Sequence, residues 1–136
     1  MILGIEHLGI AVADPVASKL LFDRLLDRPS YKTEEVASEG VQTTFYALDD
    51  TKLELISDTL QGQIVRKFIE KRGEGIHHIA LAVDDITTEI KRLKAEGFTF
   101  INDTPKTGAD NKLICFLHPK STNGVLVELC QERTNH

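Results

Sequence analysis

No stretch of this chain approaches the ~18–20 consecutive apolar residues that a membrane-spanning helix requires, so its 136 residues offer no candidate span. The opening Met-Ile-Leu-Gly-Ile-Glu-His lacks the basic region, apolar core and cleavage site of a secretory signal. It reads instead as the start of a first strand, and the expected compartment is the cytoplasm. There are only two cysteines, Cys115 and Cys130. They are too few for a disulfide framework and lack zinc-ribbon spacing. Positive charge is also in short supply. A net charge of −5 argues against a nucleic-acid partner, although a local group of lysines can still receive an anionic small molecule. Low-complexity segments are missing too. What is present is the composition of one globular domain, 41% hydrophobic and 27% charged, with enough residues to enclose a core.

The chain repeats itself. Residues 5–12 read Ile-Glu-His-Leu-Gly-Ile-Ala-Val, and residues 76–83, placed 71 positions later, read Ile-His-His-Ile-Ala-Leu-Ala-Val, with four of eight positions identical. Each copy continues into an aspartate, Asp14 or Asp85, suited to cap an amphipathic helix. Pro15 fits the first helical position, where its missing N–H costs nothing. Val16, Leu20, Leu21 and Leu25 then recur at helical spacing, as do Ile86, Ile90 and Leu93, with Gly97 as the second helix's stop. Strands are expected over Tyr31–Ala37 and Val41–Leu48 in the first half, and over Phe98–Asn102 and Lys112–Leu117 in the second, bounded by turn residues. Each half closes alike, with Lys52-Leu-Glu-Leu-Ile-Ser and Leu126-Val-Glu-Leu-Cys. The expected fold is therefore α+β: two βαβββ modules, residues 1–60 and 74–133, forming one curled mixed sheet around a metal site with helices outside. A helix over about 62–72, carrying Ile64, Val65, Phe68 and Ile69, links them within a single domain.

The repeat carries polar residues in register. His7 and His78 fall at the same place in the first strands, and Glu54 and Glu128 at the same place in the last. The His-to-Glu separations are 47 and 50 residues, differing only by loop length. Both glutamates lie between apolar neighbours. Alternation along a strand sends those neighbours to one face and the carboxylate to the other. Burying two carboxylates is costly unless they are paired or bound to a cation. A divalent ion held by His7, Glu54, His78 and Glu128 removes the cost, and the mixed nitrogen–oxygen set suits zinc, cobalt, nickel, iron or manganese. Taken singly, a strand histidine is usually structural and a strand glutamate usually solvated; four residues matched by a repeat argue for a site. His77 must face away from His78 and reads as structural, and Cys130 as a small buried filler. His118-Pro119-Lys120-Ser121 reads either as a plain turn or as a receptor for a phosphate or carboxylate.

At these residues the chain resembles the vicinal oxygen chelate superfamily over essentially its whole length, and within it the methylmalonyl-CoA epimerases. The resemblance is carried by residues 5–12, Lys52-Leu-Glu-Leu, the segment from Gly73 to Ile86, and Phe116-Leu-His-Pro-Lys-Ser-Thr-Asn-Gly-Val-Leu-Val-Glu-Leu. It implies interconversion of the (2R) and (2S) thioesters by proton exchange at C2, with one divalent metal (cobalt, zinc, nickel or manganese) as Lewis acid. It implies an acyl-CoA substrate received through Lys120, Ser121, Asn111 and Lys112, and a homodimer paired through exposed sheet edges. One departure stands out. Some epimerases carry a second catalytic glutamate two residues after the Gly-Val that corresponds to Gly40-Val41, where this chain has Thr43, which is no base at neutral pH. The expected bases are therefore Glu54 and Glu128, one per face of the substrate, with Glu39 as fallback. Position 54 is glutamate here where some relatives have glutamine. Two other activities use related sites: a glyoxalase I-like lyase acting on a glutathione hemithioacetal, and a metal-free drug-sequestering protein. The His-Pro-Lys-Ser-Thr-Asn-Gly segment argues against the lyase. The retained ligand set argues against the binder, whose apolar pocket needs none of it.

Overall fold

The computed structural model describes residues 1–133, which divide into two compact units: residues 7–77, and residues 1–6 together with those from His78 onward. In chain order the elements are β1 (Ile2–Ala11), α1 (Pro15–Leu26), β2 (Lys32–Val36), β3 (Val41–Leu48), β4 (Thr51–Asp58), α2 (Ile64–Arg72), β5 (Gly75–Val83), α3 (Ile86–Ala95), β6 (Phe100–Thr107), β7 (Leu113–Leu117) and β8 (Val127–Gln131). Strand–helix–strand–strand–strand thus occurs twice, with α2 between, and the class is α+β. Among the described residues no helix is long and apolar enough to cross a membrane.

In the first unit the strands lie in the order β2-β3-β4-β1, with β1 parallel to β4 and the other pairs antiparallel. Asp14 accepts from the backbone N–H groups of Val16 and Ala17, both at 3.1 Å, and opens α1 ahead of Pro15. The helix packs on one face of the sheet, where Phe22 and Leu26 meet Val12, Tyr46 and Leu55. Here the stripe expected to face the core does not. Val16, Leu20, Leu21 and Leu25 are 52–70% exposed. The helix is apolar on nearly every side, so residue spacing alone could not say which side turns inward.

The side chain of Gln63, the residue before α2, does not cap that helix. Asp58, at the end of β4, does so instead, accepting from Val65 N–H at 3.0 Å and Arg66 N–H at 2.7 Å. Val65 and its neighbours Phe68 and Ile69 cover Ala11 and Ile56 at one end of the face opposite α1. Gly40 sits at φ 65° with its back to Gly62, and a Cβ on it would come within 2.7 Å of the Gly62 Cα. That close approach fixes the Glu39–Gly40 turn against the lead-in to α2, and only glycine allows it.

The second unit has the order β5-β8-β7-β6, again with one parallel pair, β5 with β8. Asp85 caps α3, accepting from Thr88 N–H at 3.2 Å, and Gly97 follows its end at φ 95°. Unlike α1, this helix buries a full stripe: Ile86, Ile90 and Leu93 pack against Val83, Cys115, Leu117 and Leu129. Strand β6 runs further than expected, through Pro105, which an edge strand tolerates because the missing N–H is not needed by a neighbour. Its pairing with β7 slips twice.

Candidate functional site

Strand register fixes which side chains share a face. In the first unit, Phe45 lies opposite Glu54 across β3 and β4, and Gly9 lies beside Glu54 across β1 and β4. Paired residues face the same side and alternate residues return to it. His7, Gly9, Thr43, Phe45 and Glu54 therefore share the face away from α1, while Leu53 and Leu55 turn toward the helix. His7 Nδ1 stands 3.1 Å from Glu54 Oε2, with the two side chains only 7% and 6% exposed. An imidazole and a carboxylate this deep lose their water, and the contact between them offsets part of that cost.

The second unit repeats the pattern. Ala80 and Phe116 lie on either side of Glu128. His78, Ala80, Phe116, Glu128 and Cys130 share the face away from α3. His78 and Glu128 are buried, and the His78 and Phe116 rings meet in a T-shaped contact at 5.8 Å between centroids. In both units the strand neighbour of the glutamate is the smallest available, glycine or alanine, and the residue across from it is phenylalanine. Each unit thus presents one buried imidazole and one buried carboxylate on its helix-averted face. The donor chemistry of each half fits a divalent metal of the zinc, cobalt, nickel or manganese type.

The remaining expected residues fall as follows. Thr43 is buried and on the Glu54 face. Glu39 lies in the β2–β3 turn, its backbone N–H bonded to Val36 O at 3.0 Å. Asn111 is exposed, in a short 3-10 turn at φ 56°. Lys112 follows it with a side chain only 13% exposed, its Nζ 3.9 Å from Glu132. Lys120 and Ser121 lie in a second 3-10 turn, Pro119–Thr122, which His118 braces by accepting from Lys120 N–H at 3.1 Å. The Ser121 hydroxyl is engaged, accepting from Thr99 N–H at 2.9 Å and sharing a 2.8 Å bond with the Thr99 hydroxyl. His77 packs edge-on against Phe68 at 4.8 Å, and its pKa is lowered, first by burial and then by the charge of Arg72. Cys130 is buried beside Ala80 and Ile114.

Sequence reasoning missed two residues. Phe116 lies in the Phe116–Leu129 segment with no role apparent from sequence, yet its ring packs against His78. Lys32 lies over the Phe45 ring at 4.7 Å and, through Phe45, on the Glu54 face. The signal for both was the strand alternation already used for the glutamates.

Comparison with known proteins identifies the family and the fold. The family profile described as the Glyoxalase/Bleomycin resistance protein/Dioxygenase superfamily matches residues 6–116, a span that stops before Glu128. The ethylmalonyl-CoA/methylmalonyl-CoA epimerase of Cereibacter sphaeroides is 38% identical over 96% of this chain and 99% of its own length. The mitochondrial methylmalonyl-CoA epimerase of Dictyostelium discoideum is 40% identical over 92% of this chain and 76% of its own. A variant of the Streptomyces coelicolor methylmalonyl-CoA epimerase, solved in complex with 2-nitronate-propionyl-CoA, superposes with a TM-score of 0.90 at 29% identity, covering 98% of this chain and 97% of that one. The fold is shared with that enzyme along nearly the whole chain.

Proposed function

Because the chain belongs to the Glyoxalase/Bleomycin resistance protein/Dioxygenase superfamily, we propose that it is an epimerase interconverting (2R)- and (2S)-methylmalonyl-CoA. The observation that carries this reading is the matched pair of buried donors: His7 with Glu54 in one unit, and His78 with Glu128 at the equivalent register in the other. Relatives named as epimerases at 38–40% identity support the substrate class.

On this reading His7, Glu54, His78 and Glu128 would hold one divalent cation, with zinc, cobalt, nickel and manganese all suited to two imidazoles and two carboxylates. Such an ion, when bound, would supply Lewis acidity toward the substrate's oxygens. Glu128 and Glu54 are the proton carriers. One carboxylate takes the C2 proton, leaving the C–H electron pair in the enolate. The other, holding a proton on the opposite side, gives it to C2 and completes the inverted C–H bond. Thr43 cannot share this work, because its hydroxyl stays protonated at neutral pH. Glu39 is the alternative base, held at a turn that the Gly40–Gly62 contact fixes. Lys112 and Lys120, with Asn111, receive the substrate carboxylate or the CoA phosphates. Ser121 contributes less, because Thr99 already occupies its hydroxyl. The protein is assigned to the cytoplasm and to a homodimer.

The test is to incubate the purified, metal-loaded protein with (2S)-methylmalonyl-CoA in deuterated water. Loss of chirality with deuterium entering C2 is expected. Turnover of the methylglyoxal–glutathione hemithioacetal without exchange at C2 would replace this reading with the lyase.

A further inference from the structure

We propose that Lys32 receives the free carboxylate of the acyl group and so selects thioesters that carry one. This rests on the epimerase reading of the same site and names the residue that reads its substrate class.

Strand register puts Lys32 within reach of the site. One row runs across β1, β4, β3 and β2 through Gly9, Glu54, Phe45 and Lys32, and residues paired across a ladder share a face. Two strand spacings, ~10 Å, separate the Lys32 backbone from that of Glu54. The lysine side chain covers part of this gap. Its Nζ lies 4.7 Å from the centroid of the Phe45 ring, and Phe45 is the residue directly across from Glu54. A lysine on an edge strand often serves only to deter added strands, but such a guard points into water. Here β2 alternates, with Thr33 and Glu35 exposed and Lys32, Glu34 and Val36 half-buried. The Lys32 side chain is 35% exposed, and its ammonium stands 3.4 Å from Glu34 Oε1. Glu34 in turn faces Thr43 across β2 and β3. The cation is thus held between an aromatic face and a carboxylate, which orders it before any ligand arrives. An ammonium carries three donors, so it can hold Glu34 and a second carboxylate together.

The substrate's charge supplies the need. A carboxylate arriving beside the buried Glu54 meets like charge where water screens it poorly. It also opposes removal of the C2 proton, because the enolate adds negative charge next to the first. An ammonium in the row of Glu54 offsets both effects. Distance along the substrate selects the acyl carboxylate over the CoA phosphates. The carboxylate is bonded to C2 itself, whereas the phosphates lie at the far end of the pantetheine arm. Lys112 and Lys120 of the second unit are then left to the phosphates. Lys52 also lies on this face, but in the next row, between His7 and Ala47.

Calorimetric titration of the full-length, metal-loaded protein with malonyl-CoA, which has the carboxylate, and with propionyl-CoA, which lacks it, tests the proposal. The wild type is expected to prefer malonyl-CoA. Lys32→Met should weaken malonyl-CoA binding by about 10–100-fold and leave propionyl-CoA unchanged, with kcat/KM for (2S)-methylmalonyl-CoA falling by a similar factor. Lys32→Arg should keep most of the preference. If Lys32→Met fails to fold by its far-ultraviolet spectrum, Lys32→Gln gives the same comparison. An unchanged preference in the neutral variant of an enzyme that still epimerises overturns the role of Lys32 alone. So does an equal loss for both ligands, which would put Lys32 on their shared CoA portion, or a preference abolished by Lys52→Met instead. A wild type that neither prefers malonyl-CoA nor exchanges the C2 proton overturns the epimerase reading as well.

Discussion

Helices α1 and α3 hold the same place in their units, each opened by an aspartate and each laid on the face away from the site imidazole, but they are anchored differently. In the second unit Ile86, Ile90 and Leu93 form a buried stripe over Leu117 and Leu129. In the first unit no α1 side chain is fully buried, and part of the anchoring is polar. The Tyr46 hydroxyl donates to Asp23 at 2.6 Å, with Lys19 O also within 3.1 Å, and Asp23 accepts from Lys19 at 2.7 Å. The duplicated strands kept the donors on the helix-averted faces, while the helix-covered faces drifted apart. Position 46 is tyrosine where its repeat mate, 71 residues on, is Leu117. What is shared between the units is therefore the best guide to chemistry, and what differs concerns packing.

The two carboxylates offer the strongest way to break that comparison. If Glu54 and Glu128 are equivalent proton carriers, Glu54→Gln and Glu128→Gln each slow epimerisation by about 10²–10⁴-fold. Each variant then keeps deuterium exchange at C2 from one epimer and loses it from the other, and the two lose opposite epimers. Normal inversion by Glu54→Gln would end the equivalence and move the second base to Glu39. The two units would then share ligands without sharing roles.

The next contrast is in stability. Leu93→Ala removes a buried side chain from the α3 stripe and should cost about 2–4 kcal/mol in urea unfolding. Leu20→Ala, followed at dilutions where the chain is monomeric, should change stability by under about 0.5 kcal/mol. A penalty at Leu20 comparable to that at Leu93 would mean that the stripe on α1 is covered within its own chain.

These contrasts also show how far the sequence could be read. The donors were legible because an internal repeat aligned His7 with His78 and Glu54 with Glu128, and strand alternation then separated each glutamate from its leucine neighbours. The caps were legible because Asp14 before Pro15 and Asp85 before Ile86 are local signals. The inward side of α1 was not, since a helix apolar on both sides gives periodicity without direction. The length of β6 was missed because Pro105 reads as a break until the strand is known to lie at an edge. Ser121 looked available because nothing local reveals that Thr99, 22 residues earlier, takes its hydroxyl.

A smaller effect separates the units by pH. Burial, and then the bond to Asp23, push the Tyr46 phenol well above its usual value of 10. Lys19 first and Tyr46 second hold Asp23 below the usual carboxylate value of 3.8. For the tyrosine the folded state favours the neutral form. Its contribution is complete below pH 10 and is lost as pH rises from there toward the folded-state value. For the aspartate the contribution is complete above 3.8 and is lost as pH falls below it. Tyr46→Phe should cost about 1–2 kcal/mol at neutral pH and flatten the alkaline limb of the stability curve. Urea midpoints measured across that range would detect it, and an unchanged alkaline limb would remove the polar anchor from the account of α1.

The smallest contrast lies at the caps. Asp14 accepts from two backbone N–H groups and Asp85 from one, and the bond from Thr88 is the first cause of the lowered Asp85 pKa. An N-cap carboxylate satisfies donors that the first helical turn leaves bare and also sits at the positive end of the helix dipole. Asp→Asn keeps the first effect and removes the second, whereas Asp→Ala removes both. Melting temperatures should therefore fall in the order Asp14→Ala, Asp85→Ala, then the two asparagine variants, with the largest drop about 4 °C. The expected order could fail in an informative way. Helix α3 is held by its buried stripe whether or not its cap is intact, while α1 depends more on local capping. A larger drop for Asp85→Ala than for Asp14→Ala would mean that the buried stripe does not hold α3 without its cap.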